Sequence, residues 1–269
     1  VPVVRANGID FYFEWYGPEG EDIVIFNNGL LMTTAGWAYQ KSVISRHWRI
    51  LLYDCRGQGK TDHPDSPYTM ELHADDLRAL MDALAVNSAH LVGISYGGEI
   101  ALLFASRWPE RVKSLFISSS VSEIHPYLHC LVDKWKAVAL RKDGDLLYRV
   151  TVNDNFSPQW LNAHPQWENS SLPYFRAFDF DALIRLCESF SRINFTSELK
   201  NITAPTMLAA GQYDTLKPCS PYTEILAHHI PQSQIILFAG AGHACNIEAA
   251  SSWNASVLGF LQMVNHGQK

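Results

Sequence analysis

A serine stands between two glycines in Gly93-Ile94-Ser95-Tyr96-Gly97, where an apolar run, Ala89 to Ile94, gives way to an amphipathic stretch. A chain that turns from strand to helix at a single residue brings its own backbone too close for flanking side chains, which explains the two glycines. The same turn pushes the central hydroxyl out at the sheet edge, the sequence form of a nucleophile elbow. A serine hydroxyl is a weak nucleophile at neutral pH, so the motif carries acyl chemistry only if a base and an orienting acid accompany it. The base candidate is His243, in Ala239-Gly240-Ala241-Gly242-His243, directly after the last apolar run. Its preceding glycines free the loop to carry the imidazole over the sheet edge. The acid candidate is Asp214, in Gly211-Gln212-Tyr213-Asp214, directly after the run Thr206 to Ala210. The order Ser, Asp, His, each at the carboxyl end of its own strand, is the order such a sheet requires.

Each residue also has a bland reading. A Ser-Gly turn is common, an Asp after a strand is often a helix cap, and most of the eleven histidines would be surface or structural. Taken jointly these readings need three coincidences of position and order, so the catalytic reading is favoured, with Glu123 as a lower-ranked rival acid. His243 would then take the Ser95 proton while Asp214 holds the imidazole tautomer, and the acyl group would rest on Ser95 until a second nucleophile removes it. The oxyanion needs two backbone N–H donors. Tyr96, following the nucleophile, is one; Leu30, after the close-approach residue Gly29, is the other, with Leu31 behind it. Losing such a donor typically costs ~100- to 1000-fold in turnover.

The elements that must position these residues are legible as patterns. Ile9 to Trp15 alternates apolar and polar residues, and the turn Gly17-Pro18-Glu19-Gly20 leads into Ile23 to Phe26, predicting two adjacent strands and an antiparallel start. Arg49 to Tyr53, His90 to Ile94, Lys113 to Ser119, Thr206 to Ala210 and Gln234 to Phe238 are nearly continuous apolar runs separated mostly by helical segments. Strands buried on both faces read this way, which predicts a parallel sheet covered by helices. Thr69 caps a helix with an apolar stripe at Leu77, Leu80, Met81 and Leu84. Pro109 closes the helix behind Ser95. Between Ser120 and Thr206 no strand alternation occurs, but aromatics are dense. This predicts one α/β domain, residues 1–120 and 205–269, with a helical cap, residues 121–204, over the carboxyl edge of the sheet where ligands bind.

The 269 residues suffice for one large core. A net charge of −6 points neither to nucleic acid nor to an anionic membrane. No apolar run approaches the ~20 residues of a membrane span, and the beginning lacks the charged-then-apolar order of a signal peptide. Cys55, Cys130, Cys187, Cys219 and Cys245 are scattered, odd in number and without a CxxC, so neither a disulfide framework nor a zinc site is expected. A reducing, cytoplasmic compartment is the simpler reading.

The elbow, the acid and the base, together with Asp54-Cys55-Arg56-Gly57-Gln58-Gly59 and Pro109-Glu110-Arg111-Val112, resemble the α/β-hydrolase superfamily over essentially the whole chain. The resemblance implies the α/β-hydrolase fold, a mostly parallel central sheet with helices on both faces and an inserted cap. It also implies the cofactor-free serine branch, since dehalogenases and epoxide hydrolases of this fold carry Asp at the elbow. Asn28-Gly29 in the oxyanion loop resembles enol-lactonases, and the run Asn28 to Trp37 is similar to that of bacterial 3-hydroxyacyl transferases. The expected activity is hydrolysis of a carboxylic ester, lactone or thioester. The alternative is transfer of a (3-hydroxy)acyl group to CoA, an alcohol or another acyl chain, the acyl group being carried on CoA or acyl carrier protein. A C–C hydrolase or a non-catalytic ligand-binding relative ranks lower, because no triad member is lost. The aromatic cap predicts an apolar pocket for a medium acyl or aromatic group, with Leu31, Trp135, Trp160 and Phe178 as candidate substrate-binding residues.

Overall fold

The computed structural model describes residues 2–267. Eight strands form one sheet: β1 (Val3–Ala6), β2 (Ile9–Tyr16), β3 (Ile23–Asn27), β4 (Arg49–Tyr53), β5 (Ala89–Ile94), β6 (Val112–Ser118), β7 (Thr206–Gly211) and β8 (Ser233–Phe238). Their order is β1-β2-β4-β3-β5-β6-β7-β8. From β4 to β8 every pairing is parallel, and β2 runs antiparallel to both β1 and β4.

The antiparallel start is present, but not as the turn after β2 predicts. β4 lies between β2 and β3, with Phe13 opposite Tyr53 on one side and Ile25 opposite Leu51 on the other. Burial explains the choice: Val24 to Asn27 of β3 are all buried, which suits a central strand, whereas β2 is only half-buried from Phe13 to Tyr16. The Arg49 guanidinium donates to the Gly17 carbonyl at 2.8 Å and fastens the turn over the end of β4. The short strand β1 has no counterpart in the sequence reading, because four residues are too few for alternation to register.

Side chains alternate across the sheet as the period of two demands. Ile25, Leu51, Leu91 and Leu115 enter one apolar cluster. Val24, Phe26, Ile50, Leu52, Val92 and Phe116 enter the other. α1 (Ala38–Ile44) covers the second face with α10 (Cys245–Glu248) and α11 (Ala250–Gly267), whose Trp253 is fully buried. α2 (Met70–Ala83) and α3 (Tyr96–Arg107) cover the first. The Thr69 hydroxyl accepts from the Leu72 N–H at 3.1 Å and caps α2. α3 is buried on all sides except at its end, as a helix wedged between sheet, α2 and the following segments must be.

Five helices lie between β6 and β7: α4 (Pro126–Ala139), α5 (Gly144–Asn155), α6 (Pro158–Ala163), α7 (Trp167–Arg176) and α8 (Phe180–Phe190). They pack mainly on one another, α4 on α5 and α8, α5 on α7. α9 (Glu224–His229) precedes β8. All five cysteines are free thiols.

Candidate active site

β5 ends at Ile94 and α3 begins at Tyr96, so Ser95 alone makes the turn, with φ 52° and ψ −125°. A non-glycine residue in so sparsely populated a region costs of order 1–3 kcal/mol, which the surrounding packing must offset. The crowding around the turn is severe: a Cβ on Gly97 would lie 2.1 Å from the Asn27 carbonyl oxygen, and one on Gly93 2.7 Å from Gly98 Cα. The Ser95 N–H donates to the Ser118 carbonyl at 2.9 Å and ties the turn to β6.

His243 Nδ1 and Asp214 Oδ2 are 2.9 Å apart, and both residues are buried. Asp214 Oδ1 accepts from the N–H groups of Leu216 and Lys217 at 3.0 and 2.7 Å. Burial pushes the Asp214 carboxyl up, but the His243 charge and hydrogen bond and the Lys217 N–H outweigh it, so the group stays below its ordinary value and ionised. The His243 loop is clamped from two sides. Glu248 accepts from the N–H groups of Gly242 and Ser157 at 3.0 Å each, and the Ala244 N–H donates to the Asn155 carbonyl at 2.8 Å.

Ser95 and His243 line the same cavity of about 410 Å³. Among the described residues no hydrogen bond joins them; instead the Lys217 ammonium donates to Ser95 Oγ at 3.1 Å. Lys217 is also bonded to Glu99, at 2.6 Å. Neither belongs to a motif of the sequence, although each carries a signal: Glu99 is the lone acid in an apolar helix opening at the elbow, and Lys217 follows Asp214 by three residues. Glu123 is elsewhere, bonded to the Thr196 hydroxyl at 2.8 Å.

The loop after β3 is braced by the Asp54 turn. Asp54 accepts from the Thr34 and Lys60 N–H groups at 2.8 and 3.0 Å and from the Asn28 amide at 3.3 Å. Asn28 in turn accepts from the Trp37 indole at 2.7 Å, and Gln58 donates to the Gly29 carbonyl at 3.2 Å. Leu30 and Leu31 line the cavity beside Ser95, Leu31 with φ 61°. Tyr96 is the first residue of α3, where an N–H has no acceptor within its own helix.

Met32, Trp135, Phe156, Trp167 and Tyr174 are among the residues that form the cavity wall. Of the four candidate substrate-binding residues, Leu31 and Trp135 line it. Trp160 and Phe178 do not: Trp160 stacks on Phe156 with centroids 4.5 Å apart and braces a wall residue, and Phe178 packs against Tyr174 at 5.6 Å. Aromatic density could not separate wall from brace, since both kinds of contact bury rings equally well. A smaller cavity of about 30 Å³ shares Leu30, Ser95 and Trp135 and adds Phe190, Leu216 and Lys217. Among the described residues no cluster of three or more His, Cys, Asp or Glu could hold a metal ion, and no helix is long and apolar enough to cross a membrane.

Residues 22–250 match the family model described as alpha/beta hydrolase fold. The chain is 28% identical over 257 residues to the "Putative carbamate hydrolase RutD" of Caulobacter sp. (strain K31), covering 93% of this chain and 95% of that one. It is 22% identical over 265 residues to 3-oxoadipate enol-lactonase 2 of Acinetobacter baylyi, covering 97% of each. Among solved structures, MGS-M2, an α/β-hydrolase enzyme from a Medee basin deep-sea metagenome library, aligns with a TM-score of 0.92 at 29% identity over 97% of both chains.

Proposed function

Because the chain belongs to the α/β-hydrolase fold family, we propose that it is a serine hydrolase acting through an acyl-enzyme on Ser95, with His243 as base and Asp214 as its orienting acid. The observation that carries this reading is the juxtaposition of an elbow serine and a buried His–Asp pair on one cavity. His243 accepts the Ser95 proton as Oγ bonds to the substrate carbonyl, and Asp214 holds Nδ1–H so that Nε2 faces the nucleophile. The N–H groups of Tyr96 and Leu30 receive the oxyanion. The imidazolium returns its proton to the leaving group, water then repeats the sequence against the acyl-enzyme, and the acid departs. Residues 1–120 and 205–269 form the core on this reading, Val1, Gln268 and Lys269 lying outside the described residues, and residues 121–204 the cap that closes the site.

The substrate assigned is a carboxylic ester, lactone or thioester with a medium acyl or aromatic group. A wall of Met32, Trp135, Phe156 and Tyr174 suits apolar matter, each buried methylene contributing ~0.8 kcal/mol. Carbamates and enol-lactones, the substrates in the names of two relatives, are carbonyl compounds with heteroatom leaving groups, a class this geometry suits. Water is the assigned acceptor. The Thr34 N–H and hydroxyl are taken by Asp54 and Glu14, and Asn28 by Asp54 and Trp37, so the loop similar to that of acyl transferases has a bracing task of its own.

A fluorophosphonate probe is expected to label the protein at Ser95 and not to label Ser95→Ala; labelling that survives the substitution would refute the assignment. Across p-nitrophenyl esters from acetyl to dodecanoyl, kcat/KM is expected to rise to a medium-chain optimum. A steady fall from acetyl would remove the apolar-pocket reading. Incubating a 3-hydroxyacyl thioester with CoA is expected to yield free acid, and a new acyl thioester in its place would identify a transferase.

A further inference from the structure

Two buried charges stand against the nucleophile, and the chemistry above uses neither. Lys217 is 3% exposed and Glu99 0%. The ammonium donates to Glu99 Oε1 at 2.6 Å and to Ser95 Oγ at 3.1 Å, and lies 4.6 Å from the centre of the Phe190 ring. Both partners are held from outside the pair. The Val121 N–H donates to Glu99 Oε1 at 3.1 Å, and the Lys217 backbone is pinned on Asp214 Oδ1. Stability does not account for the arrangement, because a buried ion pair replaced by apolar residues of similar volume is often neutral or stabilising.

We propose that Lys217 is a further catalytic residue, a fixed cation that hydrogen-bonds the nucleophilic oxygen and is held in place and in charge by Glu99. The proposal rests on the serine-hydrolase reading of Ser95. Lys217 can only donate, so its bond occupies a lone pair of Oγ and leaves the Ser95 proton to be directed at His243. In acylation the Oγ–H bond breaks, the proton passes to His243 and the Oγ–C bond forms, while the charge growing on Oγ faces the ammonium. In deacylation the Oγ–C bond breaks, its electron pair stays on Oγ, and His243 returns the proton; the same N–H meets the departing oxygen. Lys217 keeps its three protons throughout, acting as a preorganised donor in a site of low dielectric rather than as a base. Glu99 is a positioning residue. Burial drives its carboxyl up, and Lys217 is the chief opposing influence.

The test compares Lys217→Met, Lys217→Arg and Glu99→Gln with the parent protein on p-nitrophenyl butyrate and on the fluorophosphonate probe. Lys217→Met is expected to lower kcat and the labelling rate together by ~10- to 100-fold, the range for a charge-assisted hydrogen bond, with KM within about twofold. Lys217→Arg, which keeps the charge, is expected to recover most of the loss. In Glu99→Gln the ammonium loses the carboxylate that keeps it charged and in place, so kcat and the labelling rate are expected to fall toward those of Lys217→Met, with KM again within about twofold. A purely structural role would not lower kcat and labelling while leaving KM in place, nor be rescued by Lys217→Arg. Parent-like kcat and labelling in Lys217→Met overturn the proposal. Should that variant not fold, Glu99→Gln decides, parent-like kcat and labelling there overturning it. Absence of labelling in the parent protein would instead strike the serine-hydrolase reading itself.

Discussion

At the scale of single residues, the site combines a strained serine with a buried carboxylate that His243 and the Lys217 N–H hold below its ordinary value against burial. Asp214 makes three hydrogen bonds through its two oxygens, one to the imidazole and two to backbone N–H groups. An asparagine there would keep the shape and lose the charge, and it could present an N–H to Nδ1, favouring the wrong tautomer. Asp214→Asn is therefore expected to lower kcat by roughly 1000- to 10,000-fold, with little change in KM. Steady-state kinetics on a p-nitrophenyl ester would check this, and a loss below tenfold would mean that another group orients His243.

At the scale of elements, one turn after β4 performs two separable tasks. Asp54 braces the loop that carries Leu30, through the Thr34 N–H and the Asn28 amide. Two residues later Arg56 makes a bidentate pair with Asp76 of α2, at 2.6 and 2.7 Å, both side chains buried. The two substitutions should therefore fail differently. Asp54→Ala releases the loop carrying Leu30, which on the proposed reading receives the oxyanion, and is expected to cost up to ~100-fold in kcat. Asp76→Ala leaves a buried guanidinium without its partner and is expected to cost ~3–5 kcal/mol of stability, with turnover per folded molecule retained. Urea denaturation beside kinetics on both variants separates the cases; equal effects on both readouts in both variants would show the turn to be one unit.

At the scale of the whole molecule, two buried histidines are expected to weaken the fold in acid. Burial lowers His73 to about 3 and His90 to about 4. His73 lies edge-on to Tyr96 at 5.2 Å, and His90 Nδ1 meets the Ser114 hydroxyl at 2.8 Å. In the unfolded chain a histidine titrates near ~6.5, so below that pH the unfolded state binds the proton first and is favoured. Each histidine then removes about 1.4 kcal/mol of stability per pH unit, until pH reaches its folded value. Between pH 6.5 and 5 the loss should be ~2 kcal/mol for each. His73→Phe, which suits the aromatic surroundings, is expected to reduce the total loss by that amount. Urea midpoints at the two pH values give the answer, and an unchanged difference would place the acid sensitivity elsewhere.

What the sequence determines by itself is local. Steric crowding at a strand-to-helix turn demands Gly93 and Gly97, and alternating burial sends neighbouring strand residues to opposite faces. Chain order places Ser95, Asp214 and His243 each just beyond a strand end. These follow from interactions within a few residues, so type and spacing suffice to read them. Tertiary structure alone decided the rest. It set β4 beside β2 because burial in the sheet outweighed nearness along the chain. It made Phe156 a wall and Trp160 its brace, since both bury a ring and only the surrounding helices distinguish them. It also brought Lys217 to the oxygen of Ser95, 122 positions away. No periodicity encodes that contact, because it depends on where the ends of two long-separated side chains meet once the sheet and its covering helices are packed.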